Sequence, residues 1–133
     1  MPPTPDYLLL FRGTQWHKGL SPAEIQKVMS KWRKWFSDLE SQGKMKSGLP
    51  LMTEGKVVSG ANGRVVTDGP FTESKEAIGG YFLITVPNLE EAVAIARQCP
   101  GLEYGAVVEI RPVALECGPA KIAREAEGTY ASA

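Results

Sequence analysis

The stretch GGYFLITVPNLEEAVAIARQC, residues 79–99, decides how this chain is read. Its first part, Gly79 to Val86, is dense in aromatic and β-branched side chains, which suit a pleated, half-buried surface, and predicts a strand. Pro87 stops that strand, and Asn88 offers a side-chain acceptor to the free N–H groups of a following helix. Leu89, Ala92, Val93, Ala96 and Cys99 then recur at three- and four-residue spacing. That pattern predicts a helix with one apolar face, ended by Pro100-Gly101. A strand running straight into an amphipathic helix needs partner strands, and the flanking sequence supplies them.

Downstream, GAVVEIRPV (105–113) predicts the last strand. Upstream, YLLLF (7–11) is an apolar run of strand length, and the loop GTQWHKGL leads from it to SPAEIQKVMSKWRKWFSDLESQG (21–43). Ser21 as cap, Pro22 at the first helical position and Glu24 closing a capping box open a long helix there. Ile25, Val28, Met29, Trp32, Phe36 and Leu39 form its apolar stripe, with Trp35 beside it, and Gly43 ends it. KMKSGLPLM (44–52) predicts a strand bent by Gly48 and Pro50. In GKVVSGANGRVVTDG (55–69) two Val-Val pairs flank a Gly- and Asn-rich tip, which predicts a hairpin.

The element order is therefore that of an α+β, ferredoxin-like βαββαβ fold with an inserted β-hairpin and both helices on one face of the sheet. A sheet covered on one face leaves the other bare, so a homodimer paired through the sheet is expected. Residues 1–113 form the domain. The small-residue-rich 114–133 is a C-terminal extension, with a short helix in AKIAREAEG and loosely held last residues.

The 133 residues suit one domain. Fifteen basic residues balance fifteen acidic ones, which argues against direct nucleic-acid binding, because phosphate recognition needs a net basic face. Cys99 and Cys117 make neither a disulfide framework nor a metal-ligand spacing, and with one histidine in the chain no metal site is expected. No phosphate-cradling or dinucleotide loop is present, so no cofactor is expected either. The N-terminus lacks a secretion signal and no apolar run can span a membrane, which leads to an expectation of a cytoplasmic protein with reduced thiols.

TDGPFTESKEAIGGYFLI (67–84), together with the closing VVEIRPV, resembles the DGPF-type proteins of the YCII-related family. The resemblance runs from about Tyr7 to Val113 and is carried by Asp68-Gly69-Pro70-Phe71 followed by Glu73, Lys75 and Glu76. It implies a ferredoxin-like fold paired as a dimeric α+β barrel, in bacteria, with no established reaction. Some relatives are thought to accompany extracytoplasmic-function sigma factors, which implies a protein partner in transcription regulation. The better-described branch is proposed to use a His–Asp pair with its histidine near the start of the first helix. Here that helix has none, and His17 in the preceding loop is the chain's single histidine.

Asp68 has two readings. As a turn residue it accepts backbone N–H groups beside Gly69-Pro70. As a site residue it is a general base or ligand anchor at a cleft walled by the 68–76 loop. Glu73, Lys75 and Glu76 are either a solvated charge cluster or ligand groups, with Lys75 set to hold an anion. His17 titrates in the useful range and lies in the β–α loop where ligands gather in such sheets. Arg12 and Arg111, at strand ends, are fitted to bind a carboxylate or phosphate bidentately, or else to pair with Glu109. Tyr81 and Phe82 face opposite sides of one strand. Trp32 and Trp35 are core or dimer-contact residues. The expected function is a dimeric small-molecule binder or cofactor-free acid–base enzyme, catalytic through Asp68 or His17. The alternative is a regulatory interaction module.

Overall fold

The computed structural model describes residues 4–69 and 77–131. The elements run β1 (Asp6–Arg12), α1 (Pro22–Ser41), β2 (Met45–Pro50), β3 (Lys56–Ser59), β4 (Val65–Asp68), β5 (Ile78–Thr85), α2 (Leu89–Ala96), β6 (Val107–Pro112) and α3 (Gly118–Ala131). Four strands make one antiparallel sheet in the order β2-β5-β1-β6, the ferredoxin-like arrangement. β3 and β4 pair antiparallel as a separate two-stranded sheet.

Strand alternation sorts the side chains. Tyr7, Leu9 and Phe11 of β1, with Phe82 and Ile84 of β5, are buried on the helix side. Asp6, Leu8, Leu10 and Arg12 face the other way, together with Tyr81, Leu83 and Thr85. Leu9, Ile84 and Val86 are fully buried, and each such side chain stabilises by about 1.5–3 kcal/mol.

Both helices start as their sequences dictate. Ser21 Oγ accepts from the Glu24 N–H at 3.2 Å while the Glu24 carboxylate accepts from the Ser21 N–H at 3.2 Å, a complete capping box. Asn88 Oδ1 accepts from the Glu91 N–H at 2.9 Å. The apolar faces differ from the predicted stripes. On α1 the buried residues are Val28, Trp35 and Leu39, so Trp35 sits at the centre and Trp32 and Phe36 lie on the flank. On α2 Ala92, Ile95 and Ala96 are buried while Leu89 is exposed. α2 also ends earlier than the predicted 99. Its last turn tightens, with Gln98 donating to Ile95 and Cys99 to Ala96, ahead of Pro100.

Two irregularities shape the sheet. Phe11 opposes Gly80 but Arg12 opposes Ile78, so Gly79 is an extra residue in β5. A Cβ at Gly79 would lie 3.1 Å from the Thr14 side chain, so glycine there lets the β1–α1 loop pass close. Lys46 is likewise skipped in the β2–β5 register. Its ammonium reaches the Asp6 carboxylate at 2.8 Å, and Thr85 Oγ1 donates to the same carboxylate at 2.7 Å. No helix among the described residues is long and apolar enough to cross a membrane.

Candidate functional site

A cleft of about 490 Å³ opens between α1 and the β2–β5 edge of the sheet. Its origin lies in three helix-facing positions with little or no side chain. Gly48 of β2 stands opposite Phe82, and Pro50 of β2 stands opposite Gly80 of β5. Nearer the other end of the same strand pair, Met45, Ile84 and Leu39 fill the corresponding space with core side chains. Where the sheet offers only glycine and proline, the rings of Phe36 and Phe82 close over Gly48, and Trp32 and Phe36 of α1 stay partly buried beside the cleft.

The wall of the cleft is aromatic. Phe11 packs edge-on against Trp32, Trp35 and Phe82, with ring centroids 4.8–5.9 Å apart. Phe36 meets Phe82 edge-on at 5.4 Å. Such pairs contribute about 0.5–1.5 kcal/mol each beyond area burial and hold the wall rigid. The Cβ that a larger residue would bring to Gly48 falls 2.8 Å from Phe82 and 2.9 Å from Phe36, so these rings already lean over the glycine.

Trp16, from the loop between β1 and α1, closes one end of the cleft. Its ring stacks on Trp32 at 6.1 Å and on Tyr104 at 6.3 Å. The Tyr104 phenol is held above its ordinary pKa by its hydrogen bond to Glu103. The Trp16 loop is flanked by Gly13 and Gly19, both at positive φ, a conformation that L side chains rarely adopt. From α1, the polar side chains Arg33, Ser37 and Glu40 line the cleft.

The sequence-derived candidates lie elsewhere or at its margins. Asp68 ends the exposed hairpin, its side chain 83% accessible and ion-paired with Lys56 across the β3–β4 ladder. His17 is exposed and its ring meets Trp16 edge-on at 5.8 Å, outside the cleft's own lining. Arg12 and Arg111 stand on the sheet face away from the helices and share Glu109, at 3.7 Å and 3.3 Å. Arg12 Nε is buried there without a hydrogen-bond partner among the described residues. Tyr81 borders the cleft from β5, and its hydroxyl lies 3.2 Å from Ser47 Oγ. Glu73, Lys75 and Glu76 lie outside the described residues. The structure thus gathers Arg12, Arg111 and Glu109 together, and pairs Asp68 with Lys56.

Sequence reasoning passed over Trp16, Phe36, Arg33 and Gly48. A usable signal was present: Trp16 is a large apolar ring in a glycine-bounded polar loop with no local apolar partner, so it must be covered from elsewhere in the fold. Among the described residues no three His, Cys, Asp or Glu side chains gather in a way that could hold a metal ion.

Comparison with known proteins bears on family. A Rhizobium meliloti (strain 1021) protein named Uncharacterized protein R00369 is 34% identical over 68 residues, covering 50% of this chain and 55% of that one. The match therefore spans about half the length of this curated relative. Among solved structures, the chain is similar to 5-chloro-2-hydroxyhydroquinone dehydrochlorinase (TftG) from Burkholderia phenoliruptrix AC1100, in complex with 2,5-dihydroxybenzoquinone. That likeness covers 86% of this chain and 97% of the other at 14% identity, with a TM-score of 0.42. The solution structure of the hypothetical Arabidopsis thaliana protein At3g17210 is similar over 87% of this chain and 94% of its own, at 15% identity and a TM-score of 0.36. A model of the YCII-related domain matches residues 7–115, from the first residues of β1 to just beyond β6, and so takes in the whole four-stranded sheet and its two covering helices. On that match the chain belongs to the YCII-related domain family.

Proposed function

We propose that this protein is a homodimeric small-molecule binder whose ligand, a flat and largely apolar molecule, sits in the cleft between α1 and the β2–β5 edge. The observation that carries this reading is the cleft itself: about 490 Å³, walled by Phe11, Trp16, Trp32, Phe36 and Phe82, and floored by Gly48 and Gly80. Binding sites for small molecules have this size and this mixture of apolar wall with a few convergent polar groups. Dimerisation is supported by the sheet face opposite the helices, where Leu8, Leu10 and Leu83 keep part of their surface in solvent and Leu49 and Val107 are exposed.

Of the two acid–base candidates, His17 is the better supported for chemistry at this cleft, because its ring contacts Trp16. Asp68 is engaged by Lys56 and fits a role in holding the hairpin. The second reading, an interaction module for a protein partner, is favoured by the hairpin, where Val57, Val58, Val65 and Val66 are all exposed.

Thermal shift and tryptophan fluorescence with a panel of aromatic metabolites test the proposal on wild type, Trp16→Ala and Asp68→Asn. The expected result is a ligand that stabilises wild type and Asp68→Asn but not Trp16→Ala. A ligand lost in Asp68→Asn and retained in Trp16→Ala would move the site to the hairpin end.

A further inference from the structure

The polar side of the cleft has an order that the aromatic wall lacks. Arg33, Ser37 and Glu40 follow one another at four- and three-residue spacing, so they share one face of α1 along the mouth of the cleft. Seven residues of helix place the two charged ends about 10 Å apart along the axis. The positive end lies toward Trp16, Met29 and Trp32, and the negative end toward Phe36 and Gly48.

Among the described residues neither charge is neutralised. The Arg33 guanidinium donates only to the neutral Ser30 hydroxyl, at 3.3 Å, and no carboxylate among the described residues pairs with it. Glu40 has no basic partner among the described residues, and Lys34 of the same helix is taken by Asp38 at 2.9 Å. An exposed surface charge without a partner is ordinary. Two opposite charges at the two ends of one aromatic cleft, both bordering its volume, form a recognition pattern.

Resting on the reading of this cleft as the ligand site, we infer that its ligand is an elongated aromatic acid, with its carboxylate on Arg33 and a hydrogen-bond donor, an amine or hydroxyl, directed to Glu40. The planar guanidinium donates two parallel hydrogen bonds to a carboxylate, and it does so from an exposed position at the mouth of the cleft lined by Trp16 and Trp32. Glu40 repels a second anionic group at the far end, so the pattern rejects dicarboxylates as well as selecting an acid. Ser37, between them, accepts or donates to a ring substituent.

The test uses naphthalene carboxylate, its neutral carboxamide and an aminonaphthalene carboxylate, titrated into the full chain by calorimetry. The carboxylate is expected to bind about tenfold more tightly than the carboxamide, a preference that shrinks with added salt and is erased by Arg33→Gln. Retained binding of the carboxamide by Arg33→Gln is the control that the cleft is intact. The amino group should add affinity in wild type and none in Glu40→Gln. Equal binding of carboxylate and carboxamide by wild type overturns the inference and leaves the cleft as a ligand site. So does a carboxylate preference that survives Arg33→Gln, since the anion is then held elsewhere. If none of the three binds wild type, the reading of the cleft falls and the inference falls with it.

Discussion

Gly48 shows how much one side chain, or its absence, decides. A Cβ there meets Phe82 at 2.8 Å and Phe36 at 2.9 Å, and the Tyr81 carbonyl at 3.2 Å blocks retreat. Gly48→Ala is therefore expected to destabilise the fold by about 1–3 kcal/mol through overpacking and to weaken any cleft ligand. Chemical denaturation of the variant, followed by ligand titration, checks both effects. The thiols offer a second residue-scale contrast. Burial pushes the Cys99 thiol above its ordinary pKa, partly opposed by the Gly101 and Leu102 N–H groups, whereas Cys117 is exposed. With a thiol-reactive dye, one cysteine should label rapidly in the native protein and the second only in denaturant. Rapid native labelling of both would contradict the packing around α2.

At the scale of elements, caps and edge contacts carry separable stability. Asn88→Ala removes the acceptor for the Glu91 N–H at the start of α2 and is expected to cost about 1 kcal/mol. Asp6 ties the edge strand β2 to the central strands through Lys46 and Thr85. The hydrogen bonds from Lys46 and then Thr85 hold its carboxyl below the ordinary 3.8. A depressed native value means that the contribution is present above the unfolded value and is lost as pH falls through the native one. The difference in urea midpoint between wild type and Asp6→Asn should thus be present at neutral pH and close as pH falls below 3.8. Its size is under about 1 kcal/mol, because the Lys46 end of the pair is exposed to solvent. A gap that widens on acidification would assign the effect to another group.

For the whole molecule, the question is what covers the apolar surface left outside the core. One face of the sheet carries half-exposed leucines, the hairpin exposes four valines, and α3 leaves Ile122 exposed. If two copies pair through the sheets, wild type should run as a dimer in light scattering. Leu10→Glu, which sets a charge opposite Tyr81 and Glu109 on the bare face, should then run as a folded monomer. A monomeric wild type would end the dimer proposal and turn attention to the hairpin and a different protein partner.

The sequence by itself determined the elements and their order, because those are set by local chemistry: Ser21-Pro22-Glu24 starts α1, Asn88 starts α2, and the aromatic and β-branched run within 79–86 marks β5, whereas which face of β5 is buried was decided by the packed helices. It also contained the family, through residues that sit in and beside the strands. The candidate site was not legible in the same way. Asp68 drew attention as a charged residue in a dense turn, but whether such a carboxylate meets a cleft depends on where the hairpin leans, and here it meets Lys56. The cleft is bordered by Gly48, Pro50 and Gly80, from two strands thirty residues apart in sequence, which come to lie on one side of adjacent strands beside the rings of α1. Absent side chains leave no periodic signal, and a cavity is a relation between surfaces that only the packed chain brings together.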